Sequence, residues 1–224
     1  NFFMQKNGVG AVFREIPSTI LTCDQLGLPS VIAKLAGLPR GLVIVTGPTG
    51  SGKSTTLAAI IDEANRLRAD HIITIEDPIE FVHKSQGCLV NQREVGIHTK
   101  SFSSALRGAL REDPDIILVG EMRDLTTMSL AIEAASTGHL VFSTLHTTSA
   151  AKTVDRIVEV FPAQEQSQIR STLSDGVRAI ISQTLFKRVD KKGRVPALEI
   201  LIATPAVRNL IREAKSHQIP SMIQ

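Results

Sequence analysis

Residues 47–54 have the pattern Gly-x-x-x-x-Gly-Lys-Ser, whose residue types and spacing suit the binding of phosphate groups. Glycines let backbone amides converge on phosphate oxygens without a Cβ atom in the way, and a helix beginning near Lys53 adds the partial positive charge of its N-terminus. We expect Lys53 to bridge the β- and γ-phosphates of ATP, and the Ser54 hydroxyl to ligate Mg²⁺. The expected nucleotide-binding residues are Gly47, Pro48, Thr49, Gly50, Ser51, Gly52, Lys53, Ser54 and Thr55.

A second candidate is Glu121, which ends the apolar run Ile-Ile-Leu-Val-Gly that begins at Ile116. In P-loop enzymes such a strand is expected to run beside the phosphate loop, so that its terminal acid reaches Mg²⁺ or the attacking water. Gly120 stands where an Asp is usual, so either Glu121 polarises the water more strongly or another acid helps. The alternative is that Glu121 caps a helix.

Three carboxylates follow the predicted strand at residues 72–75: Glu76, Asp77 and Glu80. Carboxylates crowded at a strand end are electrostatically costly unless a cation or a basic partner neutralises them. Their spacing therefore indicates a cation nearby, and a solvated acidic loop is the alternative.

Histidines and arginines complete the set of candidate residues. His139 and His146 flank a predicted strand and are seven residues apart, which in a straight strand puts them on opposite faces and argues against a shared metal ion. One of them is a candidate sensor of the γ-phosphate, and a purely structural histidine is the alternative. ATPases that work as rings place arginines against the γ-phosphate of a neighbouring subunit. The arginines before residue 162 that are available for this are Arg14, Arg93, Arg107, Arg111, Arg123 and Arg156.

The elements that must position these residues alternate between apolar strand-like runs and helical patterns. Such alternation is typical of a largely parallel sheet covered by helices, so we expect an α/β fold. The predicted strands are 42–46, 71–75, 115–119 and 139–144, and the predicted helices are 53–68, 101–111, 125–136 and 150–160.

The pattern changes after Pro162. We predict helices at 163–173 and 177–183, a hairpin of strands 184–189 and 195–202, and a last helix at 206–214. Thr204 should cap that last helix with Pro205 at its first position, and the lysine-rich turn of the hairpin should be solvated. Alternating apolar residues in 1–16 predict one strand of a preceding domain, and since no initiator Met is present we expect a piece of a longer protein.

Composition narrows the classes of function. Aromatic residues make up 4% of the chain and the net charge is only +3, which argues against single-strand nucleic-acid binding through stacked bases. Cys23 and Cys88 are too far apart for a zinc or CxxC motif, and we expect two buried thiols of a reducing cytosol. A transmembrane helix needs about 20 consecutive apolar residues, and no apolar run in this sequence approaches that length. A GTPase is disfavoured because no N/T-K-x-D motif is present.

Four motifs stand in order along the chain: 47–55, 75–80, 117–124 and 137–146. They resemble the Walker A motif, Asp box, Walker B motif and His box of the secretion-type ATPases, hexameric motors of type II and type IV secretion and of type IV pili. The resemblance covers essentially the whole chain and implies a P-loop NTPase with a RecA-like core and a helical C-terminal segment with a hairpin. It also implies a catalytic role and a metal contact for Glu121, organisation of Mg²⁺ and water by Glu76 and Glu80, and γ-phosphate sensing by His146. Arginine fingers could include Arg14, with Arg93 as the second candidate.

Within that superfamily, residues 206–213 resemble the signature helix of the type IV pilus retraction ATPases. Pilus assembly and type II secretion ATPases usually carry a four-Cys zinc insertion, which this chain lacks, so the resemblance favours retraction over extension. It implies a homo-hexamer at the cytoplasmic face of the inner membrane, acting on a pilus platform protein without direct nucleic-acid contact. Alternatives are a pilus-extension or type II secretion ATPase, a nucleic-acid translocase, and a nucleotide-gated accessory module with little turnover.

The same resemblance divides the chain into four parts. They are the end of a PAS-like N-terminal domain at 1–16, a linker and entry segment at 17–40, the RecA-like ATPase core at 41–203 and a C-terminal helical segment at 204–224.

Overall fold

The structure is a computed structural model that describes residues 2–13, 16–17 and 19–223. Its strands and helices in chain order are β1 (Phe2–Gln5), β2 (Gly8–Ala11), α1 (Ser30–Lys34), β3 (Gly41–Thr46), α2 (Lys53–Leu67), β4 (His71–Glu76), β5 (Leu89–Glu94), α3 (Phe102–Ala109), β6 (Ile116–Val119), α4 (Leu125–Thr137), β7 (Leu140–Leu145), α5 (Ala150–Glu159), α6 (Gln166–Gly176), β8 (Val177–Lys187), β9 (Arg194–Ile202) and α7 (Pro205–Arg212). Short 3₁₀ segments lie at Leu35–Gly37 and Ser216–Met222.

Seven strands form one sheet in the order β5-β4-β6-β7-β3-β8-β9. All neighbouring strands are parallel except β8 and β9, which pair antiparallel. Apolar and β-branched residues dominate the central strands, and β3 is buried along its whole length. A parallel strand covered by helices on both faces favours such continuous apolar runs. The sequence-based prediction of a mostly parallel sheet flanked by helices is confirmed.

Two hydrophobic clusters lie on the two faces of the sheet, as the alternation along β3 shows. Leu42 and Ile44 belong to the cluster that α3 to α7 cover, whereas Val43 and Val45 belong to the one that α1 and α2 cover. Successive side chains of a strand point to opposite faces, so β3 anchors both clusters at once. The phosphate loop that follows β3 is therefore attached to a strand that is buried along its whole length.

One helix prediction is wrong. Residues 177–183 belong to β8, which pairs with β3 on one side and with β9 on the other. A short apolar run cannot be distinguished as helix or strand from its periodicity alone, and here the free edge of β3 decides the outcome. The predicted hairpin is confirmed, with β8 longer than expected, and so is the cap on α7, where the Thr204 hydroxyl accepts a hydrogen bond from the Val207 amide at 3.4 Å.

The expectation that the strand before Glu121 runs beside the phosphate loop also needs correction. β7 lies between β6 and β3, so the two strands are not neighbours. Two further strands differ from the prediction. Residues 2–11 form the β1–β2 hairpin rather than one strand, with Gly8 at φ 111° after the turn, and the polar strand β5 at the sheet edge was not predicted. No helix among the described residues has the length and hydropathy needed to cross a membrane.

Candidate active site

The phosphate loop connects the end of β3 to the start of α2 and packs against β8. A Cβ atom at Gly47 would lie 2.2 Å from the Gln183 carbonyl oxygen, so only glycine permits this approach. Gly52, with φ 87°, adopts the left-handed conformation directly before the first residue of α2. The loop thus ends at the N-terminus of the 15-residue helix α2, which carries a partial positive charge.

Lys53 is the first residue of α2 and is nearly buried, with 9% of its surface exposed. Its ammonium group donates hydrogen bonds to the carbonyl oxygens of Gly47 at 2.9 Å and Pro48 at 3.1 Å. Burial lowers the pKa of Lys53, and the charges of Glu121 and Glu80 oppose that shift. The loop therefore holds one cation close to two of the candidate carboxylates.

Gln183 fixes the loop to β8 and was not found by sequence reasoning. Its amide nitrogen donates to the Ser51 carbonyl at 2.6 Å, and its amide oxygen accepts from the Thr56 hydroxyl at 2.7 Å. Gln183 is 3% exposed, so this bridge is shielded from water. Only the pairing of β8 with β3 brings Gln183 to the loop, and no local sequence pattern indicates it.

Glu121 follows β6 and His146 follows β7, and the parallel pairing of these strands brings the two side chains together. The His146 ring nitrogen Nε2 lies 2.9 Å from Glu121 Oε1. Arg123, which sequence reasoning did not single out from the other arginines, contacts the other oxygen, Oε2, through Nε and a terminal nitrogen, both at 2.7 Å. The alternative that Glu121 caps a helix is not supported, because Asp124 caps α4 by accepting from the Thr127 amide at 2.9 Å.

Glu76 ends β4 in a different setting. Its Oε1 accepts hydrogen bonds from the Thr74 hydroxyl at 2.6 Å and from the Gln92 side chain at 3.1 Å. Burial raises the pKa of Glu76, against the opposing effect of these hydrogen bonds. The site therefore contains one carboxyl group held by neutral donors and another, Glu121, held by an arginine and a histidine.

A cleft of about 750 Å³ collects most of the predicted site residues. Its size lies within the range typical of small-molecule sites. The predicted residues that line it are Thr49, Gly50, Gly52, Lys53, Ser54, Thr55, Glu76, Glu80, Glu121 and His146. The other three predicted residues of the phosphate loop, Gly47, Pro48 and Ser51, do not line the cleft. Residues of the cleft that were not predicted include Phe102, Thr144 and Leu185.

Of the two predicted arginine fingers, the structure describes only Arg93. Arg93 lies on the edge strand β5, where its guanidinium pairs with Glu112 at 2.6 Å, and it does not line the cleft. Arg14 lies outside the described residues.

The oxygen atoms around the cleft suit a magnesium ion. The Ser54 hydroxyl and the carboxylates of Glu76, Glu80 and Glu121 all line it, and oxygen is the donor that Mg²⁺ prefers. Within the described residues, no group of three His, Cys, Asp or Glu side chains could hold a metal ion. Mg²⁺ beside phosphates needs only one or two protein oxygens, so the donor set fits this ion together with a nucleotide.

Comparison with known proteins places these features in one family. The family described as type II/IV secretion system proteins matches residues 25–222. The type IV pilus retraction ATPase PilT of Pseudomonas aeruginosa is 64% identical over the whole chain, which spans 65% of that protein. A twitching motility protein of Neisseria gonorrhoeae is 62% identical over the whole chain, which spans 60% of it. The crystal structure of the pilus retraction motor PilT with bound ADP superposes with a TM-score of 0.95 at 53% identity, over 99% of this chain and 64% of that one. This chain thus spans less than two thirds of the length of these three proteins.

Proposed function

The chain belongs to the type II/IV secretion system protein family, and from this membership we propose that it is the ATPase part of a hexameric motor that powers type IV pilus retraction by hydrolysing ATP. The 64% identity to a pilus retraction ATPase supports retraction as the work that is done. Because the chain spans 65% of that relative, the activity of the whole motor remains part of the proposal.

A single observation carries the catalytic part of the proposal. Thr49, Gly50 and Gly52 of the phosphate loop line one cleft together with Lys53, Glu121 and His146, although these residues follow three different strands. Loop amides, the N-terminus of α2 and Lys53 would bind the β- and γ-phosphates. Glu121 would accept a proton from the attacking water. His146 contacts Oε1 of Glu121 and would sense the γ-phosphate.

Ser54 and Glu121 would hold Mg²⁺, which neutralises developing charge on the phosphates when bound. Glu76 and Glu80 would orient water around it from the end of β4. The positions of these residues around the cleft and the chemistry of their oxygen atoms support these roles.

The assembly is also part of the proposal. We expect a homo-hexamer at the cytoplasmic face of the inner membrane that acts on a platform protein of the pilus, with residues 1–16 as the end of a PAS-like domain. Residues 41–203 would then form the ATPase core and 204–224 the C-terminal helical segment.

The proposal is tested by deleting the gene and complementing it with wild-type, Lys53→Ala and Lys152→Ala alleles. Lys152 is exposed on α5 and does not line the cleft, so it serves as the matched control. We expect the deletion to leave surplus surface pili and no twitching. The wild-type and Lys152→Ala alleles should restore twitching, and the Lys53→Ala allele should not. Loss of pili on deletion would instead indicate extension, and an absence of phosphate release by the purified protein would indicate an accessory module.

A further inference from the structure

Arg123 has an anchored backbone and an exposed side chain. The preceding Met122 is buried in the core at 1% exposure, and the following Asp124 caps α4. The side chain of Arg123, in contrast, is 61% exposed and lines the cleft. Anchoring on both sides means that the guanidinium can change partners without moving β6 or α4.

Acidic side chains outnumber basic ones among the described residues that line the cleft. Five carboxylate side chains line it among the described residues: Glu76, Asp77, Glu80, Glu94 and Glu121. The only lysine or arginine side chains among the described lining residues are Lys53 and Arg123. A triphosphate entering this cleft meets more negative than positive charge, so each positive group that can turn towards it matters.

The guanidinium of Arg123 pairs with the carboxylate of Glu121. Both contacts go to Oε2, while His146 faces Oε1, so each oxygen of Glu121 already has a side-chain partner. The charge of Glu121 also raises the pKa of Lys53, against the effect of burial. Glu121 therefore interacts electrostatically with both Lys53 and Arg123. Guanidinium is always charged and binds carboxylate and phosphate oxygens with the same two-pronged geometry, so a phosphate can replace the carboxylate.

We propose that Arg123 is a γ-phosphate-binding residue supplied by the same subunit. On ATP binding its guanidinium exchanges Glu121 Oε2 for oxygens of the γ-phosphate, and this exchange frees Glu121 to act. The water oxygen then bonds to the γ-phosphorus and its proton passes to Glu121. The bond from the γ-phosphorus to the β–γ bridging oxygen breaks, its electron pair leaves with ADP, and inorganic phosphate is formed. The inference rests on the proposed ATPase function and adds a residue to it.

The experiment compares Arg123→Gln and Arg123→Lys with wild type and with Arg194→Ala. Gln removes the charge, Lys keeps it without the two-pronged geometry, and Arg194 is exposed on β9 away from the cleft. The measurement is the dissociation constant of a non-hydrolysable ATP analogue and of ADP, each with Mg²⁺. We expect Arg123→Gln to weaken the analogue at least about tenfold, equivalent to about 1.4 kcal/mol, and ADP by less than about threefold. Arg123→Lys should fall between wild type and Arg123→Gln, and Arg194→Ala should match wild type.

Equal weakening of both nucleotides would overturn the inference, because the contact would not be specific to the γ-phosphate. Unchanged affinity for both, with or without faster hydrolysis, would also overturn it and leave Arg123 as a restraint on Glu121. A wild-type protein that binds neither nucleotide would overturn the proposed function together with this inference. Wild-type binding of both, with the affinity ratio kept in Arg123→Gln, would overturn the inference alone.

Discussion

At the residue scale, two carboxylates of one cleft have different partners. Glu76 is half-buried and accepts from Thr74 and Gln92, whereas Glu121 is held by Arg123 and His146. Burial favours an uncharged Glu76 and raises its pKa, against the hydrogen bonds from Thr74 and Gln92, which favour the charged form. Unlike Glu76, Glu121 is bound by two groups that can also bind a phosphate, and this difference supports Glu121 as the proposed base.

The first prediction concerns that role. Glu121→Gln keeps the shape of the side chain and removes its ability to take a proton, so ATP with Mg²⁺ should still bind while hydrolysis slows at least about 100-fold. Phosphate release and nucleotide binding are measured on the same preparation, with the exposed Glu133→Gln on α4 as control. Turnover equal to wild type would move the base to Glu76 or Glu80.

The second prediction concerns Glu76 and pH. Because burial raises the pKa of Glu76 in the folded protein above its ordinary value of 4.5, the folded state holds this proton more tightly than the unfolded chain does. Its contribution to stability is therefore complete below pH 4.5 and is lost as the pH rises through the raised pKa. Glu76→Gln, which is neutral at every pH, should have a higher Tm than wild type at pH 8. The difference should shrink as the pH falls towards 4.5, and a difference independent of pH would contradict the prediction.

At the element scale, α7 has a buried and an exposed side. Val207, Leu210 and Ile211 are buried in the hydrophobic cluster that α3 to α7 cover. Asn209 is exposed, and its side-chain amide donates a hydrogen bond to Glu213 at 3.0 Å. α7 contributes no residue to the cleft. Its buried side thus serves folding, and its exposed side is available to pass motion to a partner.

The third prediction separates these two roles of α7. Asn209→Ala should abolish twitching while ATP hydrolysis and Tm stay near wild type, because the change alters only the exposed side. Leu210→Ala, by contrast, should lower the free energy of unfolding by about 2–5 kcal/mol, the usual cost of truncating a buried leucine. Thermal unfolding, phosphate release and twitching are scored for both variants. A parallel loss of hydrolysis in Asn209→Ala would make the helix a folding element only.

At the scale of the whole molecule, the cleft is open and a neighbouring subunit could complete it. Arg93 and Arg14 are the candidates for an arginine supplied in trans. Arg93 sits on the outermost strand of the sheet, partly exposed, and is engaged by Glu112 within its own subunit. To act on a neighbour it would have to leave that ion pair, and exposed pairs of this kind contribute only about 0–1 kcal/mol.

The fourth prediction tests an active site shared between subunits. If a neighbour supplies an arginine, activity per protomer should rise with protein concentration, because the complete site exists only in the assembled ring. Mixing the inactive variants Lys53→Ala and Arg93→Ala should then restore some hydrolysis, since certain interfaces receive an intact loop and an intact arginine. The same mixture is made with Arg14→Ala. If both mixtures stay inactive although mixed hexamers form, the trans arginine is excluded.

The sequence alone was sufficient for those features whose residues are neighbours in the chain. The phosphate loop is a continuous run between a strand and a helix, so its residue types and spacing indicate both its structure and its ligand class. The same holds for the cap of α7, where Thr204, Pro205 and Val207 lie within one helical turn. Most strands and helices of the core were predicted to within a few residues, because their apolar runs are long and bounded by breaking residues.

Tertiary structure decided what depends on distant segments meeting. The segment at residues 177–183 becomes a strand because β3 offers it an unpaired edge, and this pairing alone brings Gln183 onto the loop. The order of strands separates β6 from β3, and the pairing of β6 with β7 joins Glu121 to His146. The sequence does not distinguish Arg123 from the other candidate arginines. Its position in the lining of the cleft does so. Local patterns fix local conformation, whereas the choice of partner is made by the free energy of packing the whole sheet.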